Sequence, residues 1–417
     1  ARYLIQRLLA IRGASSILFC AFLYACLPYY MDFMGTPHLM EYRLVLIFYF
    51  LIISLNSLLS TLFMTRLQYK TVSMAETGCA FLNLAFLGLF IVLDYGIYGI
   101  LYAYIIATTI NILIYMGLAY PGLKGATEAP DFKELPSLAW ASYMITLFSF
   151  GLITQSDVML MNYFQVAQEK IGFYHLATGL GGMLAFVMMG VGPMAFSILA
   201  ETYARDSEKG MSKIWCQIVG FASFLTVPIF VFAFFYADPL IQMVYGEQFK
   251  EAGALLSFYI LFLGAATILG MDFVTSTLFI LERRNTVIWS NVEGSLLNIL
   301  LNLFLIPLYQ EMGALAATGT SMVYMVLRQL YIIQKQVDVM PVLPILGKCL
   351  LFSLVAVVPA QATTLLIWDN IFIGGLVYLS AFAILLTILK PFTREQSEVL
   401  KGIHPDFPAW VNGFTRV

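Results

Sequence analysis

Twelve stretches of this 417-residue chain run for about twenty residues with almost no charge, and short polar turns separate them. They fall at 13–31, 43–64, 73–93, 97–120, 138–164, 172–199, 214–236, 252–281, 287–308, 312–334, 343–366 and 371–389. A helix needs roughly 20 apolar residues to cross the hydrocarbon core. Backbone polar groups in lipid must also be satisfied within the segment, which selects helices over open strands. The expected fold is therefore an all-α polytopic membrane bundle. Charged residues make up only 11% of the chain, against roughly 25% in a soluble domain. That excludes a soluble enzyme, a disordered chain and a nucleic-acid-binding protein. The formal charge of −2 provides no basic field either.

Lys and Arg positions set the orientation. With the N-terminus in the cytoplasm, 19 of the 22 basic residues fall in inner loops and tails, and only Arg43, Lys170 and Lys250 fall outside. Both ends of the chain are expected in the cytoplasm. The five cysteines lie in apolar runs without a CxxC pair and read as small buried hydrophobes. No G-x-x-x-x-G-K-[ST] phosphate loop is present, and no loop is long enough for a catalytic domain, so the expected work is transport rather than catalysis. The first residue is Ala, not Met, and the chain is expected to lack its true beginning.

A weak internal repeat relates TVSMAETGCAFLNLAFLGLFIVL, from Thr71, to TVIWSNVEGSLLNILLNLFLIPL, from Thr286. Asn83 and Asn298 coincide in it. Transporters are often built from two related halves. The boundary is expected in the Pro- and charge-rich loop 121–137, between an N-terminal lobe at 1–120 and a C-terminal lobe at 138–335. Two additional helices at 336–390 and a cytoplasmic tail at 391–417 follow.

Three stretches resemble bacterial polysaccharide exporters: DPLIQMVYGEQFKEAGALLSFYILFLGAATILG from Asp238, LLNILLNLFLIPLYQEMGALAATGTS from Leu296, and EKIGFYHLATGLGGMLAF from Glu169. They are similar to the polysaccharide and O-antigen flippase branch of the multidrug/oligosaccharidyl-lipid/polysaccharide exporter superfamily. The resemblance implies a two-lobed, inverted-V bundle of fourteen helices, of which this chain holds the third to fourteenth. About 60–80 residues, two spans and a hairpin, would then precede it. It also implies flipping of an undecaprenyl-diphosphate-linked oligosaccharide across a bacterial inner membrane. Alternating access driven by an ion gradient or by membrane potential would do the work, with a polysaccharide polymerase or glycosyltransferase as partner. A multidrug or small-solute exporter and a non-transporting scaffold for polysaccharide synthesis are the competing readings.

Polar residues inside a span are functional candidates because each costs several kcal/mol unless it is paired or hydrated. At 1.5 Å per residue, Asn298 and Asn302 lie roughly 17–22 Å from the inner end of their span. Thr318 lies at nearly the same height on the next span, and Asp157 falls in the outer half of 138–164. These oxygen-bearing groups suit a hard cation such as Na⁺, and the lone Asp alternatively carries a proton. The resemblance supports the same four, with the Ala314 carbonyl as a further ligand. Where an acid would be expected, this chain has Asn302. The competing reading is interhelical hydrogen bonding by Asn and Thr.

Asp272 is expected at mid-membrane facing the lumen, whereas Glu76 and Glu293 read as solvated interface residues. A diphosphate wants basic partners, yet no Arg or Lys is placed at mid-depth. Arg43 and Arg328 are the candidates left. Gly190, Gly192 and Pro193 read either as close helix packing or as a hinge.

Overall fold

The computed structural model describes residues 2–33, 37–65, 68–119, 152–185, 187–366 and 370–389, together with 140, 143–144 and 146–148. The chain divides into two compact units, Ala1–Pro136 and Ser137–Val417. The expected loop 121–137 and tail 391–417 lie outside the described residues.

The first unit is built from α1 (Arg2–Phe33), α2 (Arg43–Thr65), α3 (Tyr69–Val92) and α4 (Gly96–Ala119), with a short 3-10 turn at Pro37–Tyr42. Between α3 and α4 the chain reverses within three residues. Asp94 takes a left-handed φ of 55° there, a conformation that Asp tolerates better than most side chains. Ile52, Leu59, Phe63, Val72, Ile112 and Tyr115 form the buried core of this unit.

The second unit holds α5 (Leu152–Tyr163), α6 (Gln168–Ala185), α7 (Val187–Phe235), α8 (Ala237–Tyr245), α9 (Ala252–Ile268), α10 (Met271–Ile280), α11 (Arg284–Ile333), α12 (Leu343–Leu366) and α13 (Ile371–Leu389). Among the described residues the chain is all-helical, and nine helical segments are long and apolar enough to cross a membrane. The sequence reading of twelve is consistent with this number. The run 138–164 is only partly described, and 172–199 divides between α6 and α7. The two spans at 287–308 and 312–334 are the two helical halves of α11, separated at Gln310, whose φ 51° and ψ −126° are not helical.

One difference from the sequence reading lies in 252–281, read as a continuous span. The structure breaks it after Leu269, and Gly270 takes φ 85°, a left-handed position suited to glycine. Restarting as α10, the chain is anchored by Trp215 Nε1, which donates to Thr277 Oγ1 at 3.0 Å. Trp215 belongs to a buried core with Leu199, Phe273, Leu278 and Val326. A second core joins α5, α6, α9 and α11 through Met161, Tyr174, Leu256, Ile306 and Leu315. That core positions the polar group described next.

Candidate functional site: a buried carboxylate and its donors

Asp157 sits on α5 with no exposed surface, and both its carboxylate oxygens are taken. Tyr174 Oη, on α6, donates to Oδ2 at 2.6 Å. Thr318 Oγ1, beyond the kink of α11, donates to the same oxygen. Asn302 Nδ2 donates to Oδ1 at 2.6 Å and Asn298 Nδ2 at 3.3 Å, both from the first half of α11. Asn298 and Asn302 are four residues apart, so one helix face presents both amides to the same carboxylate. The kink at Gln310 folds the second half of α11 back, which brings Thr318 to the height of Asn298.

The contacts close on themselves. Asn298 Nδ2 also donates to Thr318 Oγ1 at 2.9 Å, and Asn298 Oδ1 accepts from Ser156 Oγ at 2.9 Å and Asn302 Nδ2 at 3.0 Å. Four neutral donors thus surround one acid, and among the described residues no Lys or Arg pairs with it. Hydrogen bonds to a charged group contribute roughly 1.5–3 kcal/mol each, which offsets part of the cost of burying a carboxylate. One atom is left over: Asn302 Oδ1 is buried without a partner. An unsatisfied acceptor beside a carboxylate fits a small cation, because turning either amide brings further oxygen lone pairs to face the acid. Among the described residues no group of three His, Cys, Asp or Glu side chains meets. The donor set therefore suits one monovalent charge, a proton or a hard cation, better than a multivalent metal.

The structure brings together Asp157, Asn298, Asn302 and Thr318. Ala314 is fully buried one turn before Thr318, within the apolar core beside the cluster. Sequence reading missed Tyr174 and Ser156. Beside the cluster a cavity of about 350 Å³ opens within the second unit; Tyr174, Thr178, Thr275, Asn291, Thr318 and Gln329 supply its polar walls.

The other expected residues lie elsewhere. Arg328 Nε meets Glu293 Oε2 at 3.2 Å, and Tyr324 Oη donates to the same oxygen at 3.0 Å. Glu293 is therefore paired rather than simply solvated. Arg43 is held by Tyr24, donating to its hydroxyl at 2.8 Å with the guanidinium 4.0 Å from the ring centre. Asp272 and Pro193 fall on described helices, but their side chains are outside those described, as is Gly190. Gly192 has open space where a Cβ would sit, so packing does not demand glycine there. By contrast, Gly181 packs against Tyr259, whose ring would lie 2.6 Å from such an atom.

Arg12 is a further basic residue with a contact inside a predicted span. Its Nε donates to Ser54 Oγ at 3.2 Å, and Ser54 lies about 16 Å from either end of α2.

The fold and the buried carboxylate define a class: a multi-pass helical membrane protein of two units, with the acid Asp157 sequestered inside the second. The family follows from sequence. Residues 4–254 match the model of the family described as polysaccharide biosynthesis protein, and the chain belongs to that family. No curated protein sequence matches it. Among solved structures it is similar to "Lipid II flippase MurJ, inward closed conformation", at 18% identity and a TM-score of 0.68. The match covers 93% of this chain and 84% of that one. Both findings agree with the exporter superfamily read from the sequence.

Proposed function

We propose that the protein flips a polyprenyl-diphosphate-linked oligosaccharide from the cytoplasmic to the outer leaflet of a bacterial inner membrane, by alternating access coupled to an ion through Asp157. Membership of a polysaccharide biosynthesis family supports the substrate class. The shared fold with a lipid II flippase supports the mode of action. The observation that carries the coupling is the shell of four neutral donors around Asp157.

Acid and donors come from three helical elements: α5 holds the acid, α6 supplies Tyr174, and the two halves of α11 supply the rest. A proton on Asp157 turns one acceptor oxygen into a donor. A Na⁺ ion at the same place draws in the oxygens of Thr318, Asn298 and Asn302. Either event redistributes hydrogen bonds between α6 and α11, so occupancy biases how these helices pack. At the substrate end, a diphosphate needs cations; Arg12 and Arg328 are the candidates for that role. Both chain ends lie in the cytoplasm on this reading. A polysaccharide polymerase or glycosyltransferase acts beside the protein.

The test is made in cells depleted of the protein. Polyprenyl-diphosphate-linked glycans are extracted and assigned to a leaflet. Accumulation on the cytoplasmic side, relieved by wild type but not by Asp157→Ala, supports flipping. Intact surface polysaccharide without accumulation removes it.

A further inference from the structure

The cavity beside the Asp157 cluster lies to one side of it. Each helical element that frames the acid sends residues into the cavity from the same direction. On α5, Ile153 lines it one turn before Asp157, and on α6, Thr178 lines it one turn past Tyr174. On α11, Asn291 lies about 10 Å before Asn298 and Gln329 about 16 Å beyond Thr318. Thr275, on α10, is about 8 Å from the Ile280 end. All these displacements run toward one end of the unit, where Arg283 precedes α11 and Lys335 follows it.

The opposite side is closed. Away from the cavity, Met161 stands one turn from Asp157, Ile306 one turn from Asn302 and Ala314 one turn from Thr318, and none of the three has exposed surface. They belong to one apolar core with Leu256 and Leu315. At that end the Lys170 ammonium, on α6, donates to Gln310 Oε1 at 2.7 Å and meets Glu311 Oε1 at 3.3 Å, which ties α6 to the break in α11. An ion crossing this core would shed its water against Met, Ile and Ala side chains, which return nothing for the lost hydration.

On the cavity side the walls carry the amides of Asn291 and Gln329 and the hydroxyls of Thr178 and Thr275. A roomy cavity with several polar partners holds water. Where the cavity meets the cluster, Tyr174 and Thr318 belong to both: each lines the cavity, and each donates to Asp157 Oδ2. A solute arriving through the water reaches Oδ2 by displacing one of these hydroxyls, while Asn298 and Asn302 keep Oδ1.

We propose that this cavity is an aqueous vestibule through which Asp157 exchanges its ion with the cytoplasmic face, and that Tyr174 and Thr318 form the gate between water and acid. The side follows from the orientation set by Lys and Arg. The proposal rests on the reading of Asp157 as the coupling group and adds the route by which its ion enters and leaves.

Thiol labelling in sealed membrane vesicles of known sidedness tests it. The measurement needs neither transport nor a coupling ion, so its failure is distinguishable from failure of the flippase reading. Thr275→Cys and Met325→Cys, in the cavity, and Leu315→Cys, on the closed side, are treated with a membrane-impermeant methanethiosulfonate. Labelling is read peptide by peptide by mass spectrometry, with the native cysteines in place. In inverted vesicles, which expose the cytoplasmic face, the two cavity positions should label at least tenfold faster than in right-side-out vesicles. Leu315→Cys should stay unlabelled in both. Either cavity position decides the question if the other variant does not fold. A water-soluble carbodiimide then reports on the acid: Asp157 should be modified faster in inverted vesicles, and prior labelling of Met325→Cys should slow that modification at least tenfold. Equal labelling from both faces, faster labelling in right-side-out vesicles, or none at either cavity position would overturn the proposal. So would labelling of Leu315→Cys, or carbodiimide modification of Asp157 that is absent or indifferent to the thiol label.

Discussion

Asn302 donates to the carboxylate of Asp157 at 2.6 Å across 145 residues of chain. This contact ties α5 to the first half of α11, while Thr318 ties the same acid to the second half. One side chain thus bridges the two halves of α11 on either side of Gln310. A change in its charge acts on both halves together.

Asp157→Asn keeps the shape of the side chain and removes its charge. The fold should persist, because Asn still accepts from Tyr174 or Thr318. Any ion dependence of thermal unfolding should disappear. Comparing melting of wild type and variant in Na⁺ and in choline, at low and high pH, checks this.

Asn302 separates two effects. Asn302→Leu removes a hydrogen bond to a buried charge, and stability should fall by about 1.5–3 kcal/mol. Asn302→Asp puts a second acid beside the first, and like charges this close cannot both remain ionised without a counter-ion. Added Na⁺ should therefore raise the melting temperature of Asn302→Asp more than that of wild type. Equal shifts would argue against a cation at this place.

Glycines along the second unit divide by what surrounds them. A Cβ at Gly319 would lie 2.2 Å from the Phe262 ring, so Gly319→Ala should destabilise by about 1–3 kcal/mol through overpacking. Gly192 has free space, and Gly192→Ala should leave melting unchanged. Slower transport by that variant would identify a hinge; unchanged transport would place the bending elsewhere.

Arg12 reaches the middle of α2 through Ser54. Arg12→Gln keeps a donor for Ser54 but loses the cation. Melting should change little, while affinity for a lipid diphosphate should fall at least tenfold. Arg12→Lys should recover part of it, since Lys keeps the charge without the planar fork.

Much of the Asp157 cluster was legible because helical rise is fixed. Asn298 and Asn302 share a face by their spacing, and counting residues from the span ends puts Thr318 at their level. Tyr174 was not legible: it is one of 24 tyrosines, and only packing of α6 against α5 selects it. The contact of Arg12 was missed because its partner, Ser54, lies on another helix 42 residues away. Glu76 looked like an interface acid since its partners, Asn56 and Tyr115, come from two other helices. The break at Gly270 hid inside a run broken only by Asp272, because hydrophobicity reports burial and not backbone continuity.

The most direct test of the central claim uses purified protein in sealed vesicles with a fluorescent polyprenyl-diphosphate oligosaccharide, under an imposed proton or Na⁺ gradient. The account predicts gradient-dependent movement between leaflets by wild type, lost in a folded Asp157→Asn variant. Movement that ignores both gradients, or that Asp157→Asn sustains at the wild-type rate, would contradict it.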